Sequence, residues 1–322
     1  MIRVLVLSDI HYACDAEKQR RGHETRVIRN PFLRATTRVF RHCFWLRDPF
    51  AHNHLIESFL ARAGDADWVV VDGDLSCDTR FVGLSDEAAR ESARQCLSKL
   101  RQVFGHRLLV ALGDHELGKM SLFGRQGGLR LASWDQVCGE LALEPFWRRD
   151  AGRYVLLGVT SSLLAFPVFE PEALLEERAR WYSLREEHLA RIREVFAALA
   201  PDQRVLLFCH DPTALPFLGQ DVTVRAKLGQ IERTIIGHLH SRLILWKSRR
   251  LAGLPTIRFL GNSIRRMSAG LSAARGWDPF RVELCPSLTG IQLLKDGGFL
   301  EMHLDPEAGQ PADTRFHRLS WD

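Results

Sequence analysis

Short apolar runs that stop at acidic or imidazole side chains constrain this chain more than any other feature. Ile2–Leu7, Trp68–Val71, Leu108–Leu112, Tyr154–Val159, Val205–Phe208, Thr234–Ile236 and Ile257–Leu260 are aliphatic or β-branched and bounded by Gly, Asp or His. Runs of that length and make-up predict buried strands. Helical patterns lie between them. His54–Ala63 is one, and Leu184–Leu199 is another, with Arg185, Glu186, Glu187, Arg191 and Arg193 on its wet side. A third spans Ser85–Phe104, where Ser85 is placed to cap and Ala88, Ala89, Ala93, Leu97 and Leu100 keep near-helical spacing. Such alternation predicts a layered α/β fold. The 322 residues are 46% hydrophobic and 26% charged, so a sizeable core can be buried. One elaborated domain is expected over residues 1–305, with an insert at about 17–50. A tail, 306–322, carries Pro306, Gly309 and Pro311 with little periodicity and is expected to be loosely held.

What ends the strands carries the chemistry. The first ends in Ser8-Asp9-Ile10-His11, the second in Asp72-Gly73-Asp74, the third in Gly113-Asp114-His115-Glu116. Later ones end in Cys209-His210-Asp211 and Gly237-His238-Leu239-His240. Layered α/β folds build sites at the carboxyl ends of their strands, so these groups can converge. Carboxylate oxygen with neutral imidazole suits Mn, Fe or Zn; Ca wants oxygens only, and structural zinc usually wants thiolates. Asp9, His11, Asp74, Asp114, His210, His238 and His240 make seven candidate ligands. One metal takes four to six, so seven point to a binuclear centre with one bridging carboxylate. Alternate residues of an extended strand share a face, which is the expected reason for the Asp-x-His and His-x-His spacings. Each fragment alone is weak, since a lone Gly-Asp is usually a turn. The order of all five gives the signal.

These motifs resemble the calcineurin-like metallophosphoesterase family, whose pattern is Asp-x-His, Gly-Asp-x-x-Asp, Gly-Asn-His-Asp/Glu, a lone His and Gly-His-x-His. The resemblance spans about residues 1–265. It implies an αββα sandwich, two stacked mixed β-sheets flanked by helices, here with a basic helical insert after the first strand. It also implies that Asp9, His11, Asp74 and His240 hold one divalent metal, and that Asp74, Asp114, His210 and His238 hold the other. His115 would sit beside the phosphate and assist the leaving group. Two departures stand out. Asp114 replaces the family's Asn, which lowers the positive charge of the site by one and predicts tighter metal binding with weaker attraction for phosphate. Cys77 stands where the family often has the Asp that orients the catalytic His, leaving Asp78 and Glu116 as the candidates for that task.

Net charge is +5, but it is unevenly spread. Glu17–Phe50 holds nine Lys/Arg against three acids, and Ser241–Arg281 holds nine against Asp278. The partner implied is an anionic, phosphate-containing substrate, and a nucleic acid is not excluded by charge alone. In the insert, Phe32, Leu33, Val39, Phe40 and Phe44 share one helical face, and Arg34, Arg38 and Arg41 another. The expected arrangement packs the apolar stripe on the core. The competing one lays a basic amphipathic helix on an anionic membrane or over an amphiphilic substrate. Family members that split the pyrophosphate of UDP-2,3-diacylglucosamine in lipid A synthesis are similar in carrying a basic, apolar elaboration over the site. Arg34, Arg38 and Arg242 are the candidate substrate-binding residues. A nuclease of the same family and a scaffold that has lost catalysis are the competing functions. Seven scattered cysteines without a CxxC pair predict reduced thiols in a cytoplasmic protein, peripheral at most on the inner face of the membrane. The remaining histidines, and Trp134, Trp147, Trp181 and Trp246, read as packing or surface residues.

Overall fold

A computed structural model of the protein describes residues 1–257 and 262–321, with the side chains of residues 262 and 263 left out. Among the described residues, ten strands form two five-stranded sheets. They are β1 (Ile2–Leu7), β2 (Trp68–Asp72), β3 (Leu108–Ala111), β4 (Trp147–Ala151), β5 (Tyr154–Gly158), β6 (Arg204–Phe208), β7 (Ile231–Ile236), β8 (Val282–Leu284), β9 (Gly298–Leu304) and β10 (Asp313–Arg318). The first sheet has the order β10-β9-β1-β2-β3, with β1, β2 and β3 parallel and β9 and β10 antiparallel. The second has the order β4-β5-β6-β7-β8, parallel except for β4. Both sheets are mixed, as expected. The seventh expected strand, Ile257–Leu260, lies outside the described residues beyond Ile257.

The strands read as continuous apolar runs because both of their faces are covered. Val4 and Val6 of β1 join Val70, Tyr154, Leu156, Leu206, Phe208 and Ile235 in a core cluster between the sheets. Their neighbours Leu5 and Leu7 point the other way, into a cluster with Leu55, Phe59, Leu97 and Leu100 from the flanking helices. Trp147 spans the gap, its indole N–H donating to the Val110 carbonyl across the sheets at 2.8 Å.

The helix expected from Ser85 begins at Glu87, and Asp86 is its cap, accepting from the Ala89 amide at 3.2 Å. Ser85 sits in the preceding turn, where its hydroxyl donates to the Val82 carbonyl instead. The tail is not loosely held. β10 pairs with β9 along its length, and the Trp321 indole donates to the Thr289 carbonyl at 2.8 Å and packs 4.3 Å from the His52 ring.

The insert also departs from expectation. Its helix, Pro31–Cys43, is started by Asn30, which accepts from the Leu33 amide, and by Pro31 at the first position. It buries no residue; Phe32 is 77% exposed, Val39 63% and Phe40 49%. Phe32, Val39 and Phe40 of the apolar stripe therefore face solvent, not the core, while Leu33 and Phe44 are half-buried. The segments on either side are anchored. Buried Glu17 accepts from the Cys77 and Thr79 amides, Arg20 pairs with Asp86, and the Phe44 and Trp45 carbonyls accept from the Leu293 and Gln292 amides.

Candidate metal centre and active site

The carboxyl ends of β1, β2, β3, β6 and β7 open onto one place, and short backbone and side-chain links stitch their loops together. The Asp9 amide donates to the Gly73 carbonyl, the Gly237 amide to the His210 carbonyl, and the Ser287 amide to the His240 carbonyl. The Ser8 hydroxyl donates to the Asp72 carbonyl at 2.8 Å. Close approach needs glycine here: a Cβ on Gly113 would run into the Asp74 carboxylate, and one on Gly237 into the Ser8 hydroxyl.

Asp9, His11, Asp74, His238 and His240 all lie beyond their strands, with φ of 49°, 48°, 59°, 58° and 59°. The pleat of a strand is thus not what aims the Asp-x-His and His-x-His pairs. Left-handed backbone in the loops does so. For non-glycine residues that conformation costs of order 1–3 kcal/mol each and persists where the surroundings over-determine it, as at functional sites.

The seven expected ligands converge. Asp9, His11 and His240 bring ligand atoms within 4.8 Å of one another, and so do Asp114, His210 and His238. Asp9, Asp74 and His210 form a third such trio that joins the first two. The Asp9 Oδ1 lies 3.1 Å from His240 Nε2, and the His11 and His240 Nε2 atoms face each other at 3.3 Å. The Asp74 Oδ2 lies 3.3 Å from His210 Nε2, and Asp114 Oδ1 lies 3.4 Å from His210 Nε2 and 3.1 Å from His238 Nδ1. Asp9, Asp74, Asp114 and His210 are buried.

Backbone carbonyls set the imidazole tautomers. His11 Nδ1 and His115 Nδ1 both reach the Ser76 carbonyl, at 3.2 and 3.0 Å, and His210 Nδ1 reaches the Asp72 carbonyl at 2.5 Å. A carbonyl only accepts, so each Nδ1 carries a hydrogen and each Nε2 is left to face the cluster. Neither Asp78 nor Glu116 orients His115. Asp78 Oδ1 accepts from the Val82 and Gly83 amides, and Glu116 accepts from the Asp74, Leu75 and Gly113 amides, fixing the loops that carry Asp74 and Asp114.

The donor set fits divalent cations. Asp9 Oδ1 and His210 Nε2 are buried and accept no hydrogen bond, an arrangement that costs free energy unless a cation satisfies it. Burial alone would raise the Asp9 carboxyl, yet His240, His210 and His11 hold it far below the usual range. Burial pushes His115 down to about 3 and, with His240 beside it, His11 to about 4, so both rings are neutral ligands or acceptors at neutral pH. His210 goes the other way: despite burial, Asp74 and Asp9 pull its pKa well up, showing how strongly this pocket favours positive charge.

Three residues here went unread in the sequence. Ser76 acts through its carbonyl and leaves no side-chain signal. Trp45, from the end of the insert, packs its ring 4.8 Å from that of His240. Lys119 pairs with Asp114 Oδ2 at 3.2 Å, and a cation five residues beyond an unusual acid was a legible cue. Of the expected substrate-binding arginines, Arg34 donates to the Ile28 carbonyl at 2.8 Å and Arg38 is exposed on the insert helix. Arg242 lies over the Phe316 ring and lines a groove of about 780 Å3 with Arg204, Arg233, Trp246 and Arg249, which contains none of the seven ligands.

A metal-dependent phosphoesterase is the class that this fold and this donor set define. The chain belongs to the calcineurin-like phosphoesterase family, whose model matches residues 2–242. Among solved structures it is similar to the crystal structure of a dimetal phosphatase from Danio rerio, at 13% identity and a TM-score of 0.48, over 94% of this chain and 92% of that one. No curated protein matches the sequence.

Proposed function

We propose that the protein hydrolyses a phosphodiester or pyrophosphate bond in a substrate that carries an apolar chain. The reading rests on the phosphoesterase class and on one observation: an aromatic path leads from the exposed insert helix to the ligand cluster. Phe40 stacks on Phe44 at 5.1 Å and lies 6.4 Å from Trp45, which packs against His240. Lys247 sits over the Phe44 ring at 4.9 Å, a cation beside the path. Trp246, Leu251 and Leu254 are also exposed, on the helix that carries Lys247 (Arg242–Arg250) and the turn beyond it. A phosphate-bearing head would reach the cluster while the chain lies along this path, as in a lipid-linked or nucleotide-linked pyrophosphate of the UDP-2,3-diacylglucosamine kind. A cytoplasmic setting, with the basic insert against the inner membrane face, accords with it; no helix among the described residues is long and apolar enough to cross a membrane.

In this reading Asp9, His11, Asp74 and His240 hold one divalent cation and Asp74, Asp114, His210 and His238 the other, with Mn the first choice for a mixed oxygen and imidazole set. Such a pair supplies a nucleophile from water at neutral pH and offsets phosphoryl charge. Asp74 would be the residue shared by the two cations, since it lies in one ligand trio with Asp9 and His210 and in another with His11 and His115. His115, 7% exposed and fixed through Nδ1, would take up a proton from solvent at Nε2 as an arriving phosphate raises its proton affinity, and would pass that proton to the leaving oxygen. Turnover of bis(p-nitrophenyl) phosphate and p-nitrophenyl phosphate tests the assignment. Asp74→Asn is expected to lose at least about a thousandfold in kcat on the better ester; rates near wild type would refute it.

A further inference from the structure

Position 114 departs from the family pattern by one negative charge, and the fold supplies its counterweight. Asp114 is 3% exposed. Its Oδ1 is taken up by His210 and His238, and its Oδ2 turns outward to the Lys119 ammonium at 3.2 Å. The Lys119 side chain keeps 26% of its surface in solvent, against 4% for that of Asp114, so the cation stands between the carboxylate and the solvent side of the cluster. Its segment is pinned. The Gly118 amide donates to the Asp114 carbonyl at 2.9 Å, and the Met120 amide donates to Glu172 Oε2 at 3.0 Å. The same Glu172 oxygen accepts from Arg266 at 2.7 Å. Lys119 is thus held by its neighbours on both sides, and Glu172 neutralises Arg266, leaving the Lys119 charge to act on the cluster. Asp74, His11 and His115 all feel it.

We propose that Asp114 and Lys119 together replace the neutral amide of the family pattern, and that Lys119 is the positioning cation that an arriving phosphate meets at the mouth of the site. The inference rests on the phosphoesterase reading above. It revises the sequence-based expectation for Asp114 alone: the site does not carry one positive charge fewer, because the pair is neutral, and attraction for phosphate is preserved.

The test is a charge cycle of Lys119→Met, Asp114→Asn and the double variant, read by two equilibria. One is Mn affinity, from calorimetric titration of chelator-stripped protein. The other is inhibition of bis(p-nitrophenyl) phosphate hydrolysis by inorganic phosphate. Lys119→Met leaves an extra negative charge, so Mn binds about tenfold tighter and phosphate inhibits about tenfold less well. Asp114→Asn moves both quantities in the opposite directions. The double variant, which has no unpaired charge and guards against misfolding of the single ones, returns both to within about threefold of wild type. Single variants that weaken Mn and phosphate together, with no recovery in the double, would show a merely structural pair and overturn the proposal. If the wild type binds Mn but cleaves no ester, the phosphoesterase reading fails, and the Mn titrations alone still judge the pair.

Discussion

Asp9, His11, Asp74, His238 and His240 are the residues at which backbone cost and chemical use meet. Asp and His tolerate the left-handed region better than most side chains, so the residue types that bind metal also suit the loops that aim them. Their identity was legible in the sequence because the motifs follow predicted strands in order. Their conformation was not, since an extended continuation explains the same spacing. The carbonyl of Ser76, which fixes both His11 and His115, was likewise invisible, because any residue supplies a carbonyl. His188 shows what an unaligned histidine does here. It is buried, accepts the Thr160 amide at Nε2 at 3.0 Å, and packs edge-on against Phe146. Burial, with Arg191 nearby, lowers its pKa from 6.5 to about 3. The unfolded chain therefore binds a proton that the folded chain refuses, so stability is full above pH 6.5 and declines as pH falls from 6.5 toward 3. His188→Gln, which keeps an acceptor, is expected to flatten the melting temperature against pH between those limits. Curves that run parallel to wild type would contradict the assignment.

At the scale of elements, the two surprises are the insert helix and the tail. Periodicity identified an amphipathic helix in the insert but could not say which way its apolar face turns, because helices on a core and on a lipid share that pattern. Phe32, Val39 and Phe40 of the stripe face solvent. Replacing Phe32, Val39 and Phe40 with Ser should shift the melting temperature by no more than about 1 °C and change turnover of a soluble diester less than about twofold. The same variant should lose about tenfold or more on a lipid-linked pyrophosphate presented in anionic vesicles. Equal effects on both substrates would remove the apolar path from the account. The tail was misread because its turn residues, Pro306, Gly309 and Pro311, precede a strand whose alternation is hidden by charge. β4, with Arg148, Arg149 and Asp150, was missed for the same reason, and β8 was too short to register. Deleting residues 307–322 would bare the β9 edge and remove the Trp321 contacts. A fall in melting temperature of about 5–10 °C is expected by scanning calorimetry; an unchanged value would contradict the role given to β10.

The whole molecule brings two sheets together so that the carboxyl ends of parallel strands from both meet in one cluster. The layered class was legible from alternation, and the pairing of the sheets came from the family resemblance; strand order and the capture of β9 and β10 depend on contacts far apart in sequence. With its buried acceptors unmet by hydrogen bonds, the cluster is the place where folding and metal binding are most tightly linked. We propose that the protein works as a metal-dependent phosphoesterase at that cluster. This is tested most directly by stripping the protein with a chelator, adding Mn back in measured equivalents, and following hydrolysis of bis(p-nitrophenyl) phosphate. The expected result is no turnover in the stripped protein, recovery that saturates near two equivalents of bound metal, and no recovery in His115→Ala. Full turnover after stripping, or bound metal with no turnover of this ester, its monoester or a lipid-linked pyrophosphate, would contradict it.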